Sequence, residues 1–153
     1  NGDSLLDIGC GGGGNISRLL QKYPHSSVYG VDYSPTSVAL SKKINVKEIK
    51  NNRCRVILGD AQNIPFESNS LNVVTAFETI YYWQDIEKCF REVFRILQQN
   101  GKFVIVNGAD AEGGWKWDKY IDAMYTYLPF ELEQLLKKTG FKRIKIFRKK
   151  ESN

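Results

Sequence analysis

Leu5-Leu6-Asp7-Ile8-Gly9-Cys10-Gly11-Gly12-Gly13-Gly14-Asn15-Ile16, near the start of this 153-residue chain, is the stretch whose reading decides the fold. It opens as a short apolar run, passes through glycines, and resumes with apolar residues at helical spacing, Ile16, Leu19 and Leu20. An apolar run of this length reads as a buried parallel strand, and the glycines mark a turn too tight for side chains. Asn15 stands where an N-cap would start the helix. Strand, glycine turn and helix together bring a nucleotide-like ligand against backbone N–H groups at a helix N-terminus. Two glycine patterns fit: Gly9, Gly11 and Gly14 as G-x-G-x-x-G, and Gly9, Gly11 and Gly13 as the tighter G-x-G-x-G with Asp7 before it.

Moving outward, Ser27–Asp32 reads as a second strand ending in an acid, about twenty residues past the glycines, where a carboxylate accepts hydrogen bonds from ribose hydroxyls. Ser34-Pro35 then starts a helix, with proline at its first position, that the apolar spacing extends to about Asn51. Arg55–Leu58 is a third strand, closed by Gly59-Asp60-Ala61, and Ile64-Pro65-Phe66 anchors the loop after it. Asn72–Phe77 is a fourth strand opening into the aromatic loop Glu78-Thr79-Ile80-Tyr81-Tyr82-Trp83. From Asp85, Ile86, Cys89, Phe90, Val93, Phe94 and Leu97 recur at helical spacing opposite a charged face, up to Asn100-Gly101. Lys102–Asn107 is a fifth strand, Trp115–Tyr127 contains an aromatic-rich helix, Pro129–Thr139 is another helix stopped by Gly140, and Phe141–Lys149 reads as a sixth strand. Strands alternating with helices imply an α/β, doubly wound, mainly parallel sheet with helices on both faces. The glycine turn, Asp32, Asp60-Ala61 and Phe77–Trp83 all fall at strand carboxyl ends, where such sheets bind ligands.

Composition narrows the classes. A chain that is 42% hydrophobic and 25% charged is globular, and no apolar run is long enough to span a membrane. Cys10, Cys54 and Cys89 lack metal-site spacing and read as free thiols of a reducing, cytoplasmic compartment. His25 is the single histidine and lies in a polar stretch, so a histidine metal site is not expected, nor is any metal. The net charge of +5 is concentrated between Lys137 and Lys150, where eight Lys or Arg occur with no acid, and the rest of the chain is net negative. That run reads first as a solvated helix end and edge strand, and second as a surface for an anionic substrate or nucleic acid.

In their order and spacing, several of these blocks resemble the class I S-adenosylmethionine-dependent methyltransferases, over essentially the whole chain. They are Leu6–Gly13, Val31-Asp32-Tyr33-Ser34, Gly59-Asp60-Ala61 with Ile64-Pro65-Phe66, Arg91–Leu97 before Asn100-Gly101-Lys102, and Tyr127–Phe141. The likeness is nearest to the small-molecule branch typified by quinone-biosynthesis enzymes. Gln99-Asn100-Gly101 stands where that family has a Pro-Gly turn, and Leu71-Asn72 where it has Phe-Asp. The resemblance implies a Rossmann-like sheet of order 3-2-1-4-5 plus a C-terminal strand. It also implies a single domain over residues 1–153 without the family's N-terminal helices and final antiparallel strand.

By the same resemblance the cofactor is S-adenosyl-L-methionine. Its methionine end lies by Gly9, Cys10, Gly11 and Gly13, with Asp7 holding the amino group and the Phe77 backbone close by. Asp32 takes the ribose, Tyr33 lies beside the adenine, and Asp60 and Ala61 address the adenine edge. The reaction is in-line methyl transfer to a small-molecule acceptor, with Glu78, Tyr81 and Tyr82 the candidates for a general base. Packing under the following helix is an equal reading for Tyr81, Tyr82 and Trp83. Three alternatives stay open: an NAD-dependent oxidoreductase, against which Asp7 and Gly59-Asp60-Ala61 argue; a nucleic-acid methyltransferase, favoured only by the basic run; and a non-catalytic S-adenosylmethionine-binding module. The acceptor and the oligomeric state are not legible in the residues.

Overall fold

A computed structural model describes residues 2–108 and 124–148. Five strands, β1 (Ser4–Ile8), β2 (Ser27–Asp32), β3 (Cys54–Leu58), β4 (Leu71–Phe77) and β5 (Leu97–Val106), form one sheet in the order β3-β2-β1-β4-β5. All four pairings are parallel. The helices are α1 (Gly14–Lys22), α2 (Pro35–Ile44), α3 (Val46–Lys50), α4 (Ile86–Ile96) and α5 (Pro129–Lys138). Successive residues of a strand face opposite sides of the sheet, and β1 shows the result. Leu5 packs with Ile16, Leu20, Val28 and Val38 beneath α1 and α2, whereas Leu6 and Ile8 pack with Val74, Cys89, Val93 and Ile96 beneath α4. A strand buried on both faces must be apolar throughout, so the single acid in β1, Asp7, calls for a separate explanation.

The sheet order and the five strand positions agree with the sequence reading; several boundaries do not. The N-cap of α1 is Gly13, at φ +85° and without a side-chain cap, and Asn15 lies inside the first turn. The helix expected from Ser34 to about Asn51 is two helices, because Asn45 ends α2 and turns its side chain inward. The helix that begins after Asp85 stops at Ile96, and Leu97 already pairs with Leu71, so β5 starts earlier than Lys102. Asn100, at φ +64°, and Gly101 lie within β5, where the register against β4 shifts.

No sixth strand forms among the described residues from Phe141 to Arg148. A strand exists through its ladder, and no neighbouring strand is paired to this segment. Phe141 is held instead by aromatic packing, with ring centroids 5.3 Å from Phe94 and 5.6 Å from Phe103. The expected Trp115–Tyr127 helix lies mostly outside the described residues, and residues 124–128 are not helical.

Candidate functional site

Sheet order reverses at β1, which pairs with β2 on one side and β4 on the other. A crevice therefore opens above the carboxyl ends of these strands. The turn that leaves β1 is left-handed at Gly9 (φ +71°), Gly11 (+51°) and Gly13 (+85°), a path that side chains resist. Gly9 is also tight, because a Cβ there would collide with the Thr79 side chain. Around Gly11 and Gly14 a Cβ would meet nothing within 4 Å, so this side of the turn faces open space.

Hydrogen bonds fix the turn from below. Gly9 N donates to Val31 O at 2.7 Å and Cys10 N to the same oxygen at 3.2 Å, tying the turn to β2. Gly13 N donates to Cys10 O at 3.0 Å. Gly11 N donates to Asp32 Oδ2 at 2.8 Å, and Ser34 N to Asp32 Oδ1 at 2.9 Å. The buried Asp32 carboxylate thus clasps the turn and the start of α2, with lone pairs left over for a ligand hydroxyl. Among the described residues, no protein acceptor meets the N–H groups of Gly12, Gly14, Asn15 and Ile16. Those of Gly14, Asn15 and Ile16 are orphan donors of a helix N-terminus, at the positive end of its dipole, and that of Gly12 lies just before the N-cap.

Asp7 lies beneath this turn, 1% exposed. Thr75 Oγ1 donates to Asp7 Oδ1 at 2.7 Å, whereas Asp7 Oδ2 is buried with no partner among the described residues. Burial first, and the Asp32 charge in addition, push its pKa up to about 7, against the lowering effect of the Thr75 hydrogen bond. A buried carboxylate oxygen without a donor is costly unless something cationic completes it. Cys10 points away from the crevice into the apolar cluster with Ile16 and Val28. Burial, followed by the Asp7 and Asp32 charges, drives its thiol up to about 12, which favours the protonated form.

The remaining candidates line the rim. Tyr33 is exposed, just past β2. Asp60 is exposed and accepts from Gln62 N at 2.8 Å, shaping the loop on which Ala61 is buried. Half-buried Phe77 ends β4 opposite Val106, and Glu78 N donates to Val106 O at 2.8 Å. Glu78 has φ +49°, an uncommon conformation for a residue with a side chain, and the Tyr81 hydroxyl donates to its Oε2 at 2.9 Å. Tyr81 is buried, and Tyr82 is half-exposed with its ring edge-on to that of Tyr81. Trp83 packs on Phe90 as part of the core under α4. The sequence reading missed Thr79, whose partner Gly9 is distant in the chain. It also missed the free N–H groups of Gly12 and Gly14, which depend on where the helix starts.

Fold and site together define a doubly wound α/β domain, with unpaired backbone N–H groups at a helix start and a buried carboxylate beside them among the described residues. A profile of the methyltransferase domain family matches residues 6–105, well over half of the chain, and the chain belongs to that family. "Putative methyltransferase YrhH" of Bacillus subtilis is 29% identical over 147 residues, covering 96% of this chain and 73% of that protein. The chloroplastic 2-methyl-6-phytyl-1,4-hydroquinone methyltransferase of Spinacia oleracea is 28% identical, covering 94% of this chain and 41% of that enzyme. A solved structure of Haemonchus contortus phosphoethanolamine N-methyltransferase 2, with phosphomonomethylethanolamine and S-adenosylhomocysteine, superposes with a TM-score of 0.80 at 30% identity. That likeness covers 92% of this chain and 34% of the other, so this domain spans less than half of these two enzymes.

Proposed function

We propose that this domain binds S-adenosylmethionine across the carboxyl ends of β1, β2 and β4 and methylates a small-molecule acceptor. The observation that carries this reading is the buried, unpartnered Asp7 Oδ2 beneath a glycine turn whose next N–H groups are free. An α-amino acid group matches this pair of features, its ammonium to Asp7 and its carboxylate to the donors of Gly12, Gly14 and Asn15. Asp32 and Tyr33 suit the ribose and adenine beyond it, with the Asp60-Ala61 loop at the adenine edge.

When bound, S-adenosylmethionine supplies a methyl group already activated on a sulfonium sulfur. The chain's own work is orientation and exclusion of water, which lower the barrier to in-line attack. In this reading Glu78 takes a proton from an acceptor that arrives protonated, which is supported by the Tyr81 hydroxyl donating to its carboxylate and by Tyr82 packing edge-on to Tyr81. The relatives named above for hydroquinone and phosphoethanolamine methylation support a small acceptor. In the basic run, Lys137 pairs with Glu133 and Lys138 with Glu87, which reduces the charge available to a nucleic acid. Three buried free thiols suit a reducing cytoplasm, and no described helix is long and apolar enough to cross a membrane.

Calorimetric titration with S-adenosylmethionine, S-adenosylhomocysteine and NAD tests the reading. The first two should bind and NAD should not; binding of NAD alone would overturn it. Glu78→Gln should slow single-turnover methylation while leaving S-adenosylhomocysteine affinity unchanged.

A further inference from the structure

Asn45 lies far along the chain from the glycine turn and is 3% exposed. Both amide hydrogens and the amide oxygen are engaged. Nδ2 donates to Gly13 O at 3.1 Å and to Ser41 O at 3.0 Å, and Oδ1 accepts from Ser17 Oγ at 2.7 Å. The Gly13 carbonyl also accepts from Ser17 N at 3.0 Å, the bond that opens α1. One side chain thus joins the N-cap of α1, its first turn and the end of α2. The fit is close: a Cβ on Gly13 would lie 2.7 Å from Asn45 Nδ2 and 2.9 Å from Ser41 Cα.

The consequence appears on the opposite side of the peptide. In a trans peptide the C=O of one residue and the N–H of the next point in opposite directions. Drawing the Gly13 carbonyl toward Asn45 therefore turns the Gly14 N–H away from α2. That N–H is one of the donors without a protein acceptor, on the side of the turn where Gly14 faces open space. Without the amide, the carbonyl of Gly13, a residue with wide conformational freedom, is held only by the helical bond to Ser17.

We propose that Asn45 is a positioning residue for cofactor binding, holding the Gly13–Gly14 peptide so that its N–H faces the ligand. This rests on the reading of the turn as the S-adenosylmethionine seat. Asn45→Asp is the informative variant. It keeps the size and the acceptor for Ser17, but sets an oxygen against the carbonyls of Gly13 and Ser41.

The test compares S-adenosylhomocysteine binding by calorimetry, thermal melting and the Gly14 amide resonance in parent and variants. Arg53→Lys serves as a purely structural control. Arg53 bonds Leu20 O, Tyr23 O and Ser26 O near the start of β2, away from the turn. Asn45→Asp should lose about tenfold or more in affinity, the scale of one well-placed hydrogen bond to a charged group, and should shift the Gly14 resonance before ligand is added. Arg53→Lys should melt lower with unchanged affinity. A folded Asn45→Asp protein that binds within twofold of the parent overturns the proposal. If that variant does not fold, Ser17→Ala decides: the amide then lacks its orienting partner, affinity should fall about two- to threefold, and no change overturns the proposal. Failure of the parent itself to bind S-adenosylhomocysteine removes the cofactor reading and this inference with it.

Discussion

Two carboxylates at adjacent strand ends are given different tasks by their surroundings. Asp32 already has two backbone donors, whereas Asp7 has Thr75 on one oxygen and, among the described residues, no donor on the other. Burial raises Asp7 from 3.8 to about 7, so the folded chain keeps a proton there that the unfolded chain has released. This contribution to stability is complete below about pH 4 and is lost as pH rises toward 7 and beyond. The melting temperature of the parent, measured relative to Asp7→Asn, should therefore fall between pH 5 and pH 8. A constant difference would show that Asp7 is already ionised at pH 5. A bound ammonium favours the ionised form, so S-adenosylmethionine should bind the parent more tightly as pH rises through 7, and Asp7→Asn should lose that trend. Asp32→Ala removes the anchor of Gly11 N together with the acceptor proposed for the ribose hydroxyls. Cofactor affinity should fall about tenfold to a hundredfold, as expected for hydrogen bonds to a charged group. Calorimetry giving the parent's affinity would falsify the assignment.

At the scale of elements, the junction of β1 and α1 is set by space as much as by backbone conformation. Gly13 needs a left-handed φ and also has Ser41 Cα where its Cβ would go. Gly14, one residue on, is the first residue of α1 and has open space around it. Gly13→Ala should cost about 2–4 kcal/mol, combining left-handed strain with overpacking. Gly14→Ala should change stability by less than about 1 kcal/mol, because alanine is the better helix former. Urea unfolding of the two variants checks this, and equal losses would mean that the turn is not seated against α2. Asn45 shows the same logic in reverse: a polar residue inside a helical pattern ends that helix because its amide has partners in another element.

Across the whole molecule, the loop after β3 is braced by α4, with which it shares one core cluster. Arg95 on α4 donates to Phe66 O at 2.8 Å and to Ile64 O at 3.0 Å, and pairs with Glu92. Glu92 in turn accepts from Ile64 N at 2.8 Å. The planar fork of Arg95 reaches two carbonyls and a carboxylate at once, a set that a lysine cannot cover. Arg95→Lys should lower stability by about 1–3 kcal/mol through lost hydrogen bonds, with the urea dependence of unfolding unchanged. A midpoint equal to the parent's would mean the brace contributes nothing beyond a surface ion pair.

By itself the sequence determined the five strands, the alternation of strands with helices and the strand ends at which the candidate residues gather. Apolar runs, helical spacing and glycine turns are local signals, and alternation of strands with helices leaves few sheet orders open. The parallel sheet and the places of Asp7, Asp32 and Asp60 near strand carboxyl ends follow from them, whereas the order β3-β2-β1-β4-β5 is implied by the resemblance to the class I methyltransferases. What only the tertiary structure decided is who partners whom. Asn45 breaks a helix because Gly13 and Ser17 are within its reach, and Gly13 caps α1 because α2 fills the space where a side chain would sit. Phe141 packs on Phe94 and Phe103 without forming a strand, since a ladder needs a neighbour that local pattern cannot supply. The unpartnered oxygen of Asp7 is equally non-local: the residue type is plain in the chain, but its isolation is a property of the surrounding core, which removes water and provides one donor for two oxygens.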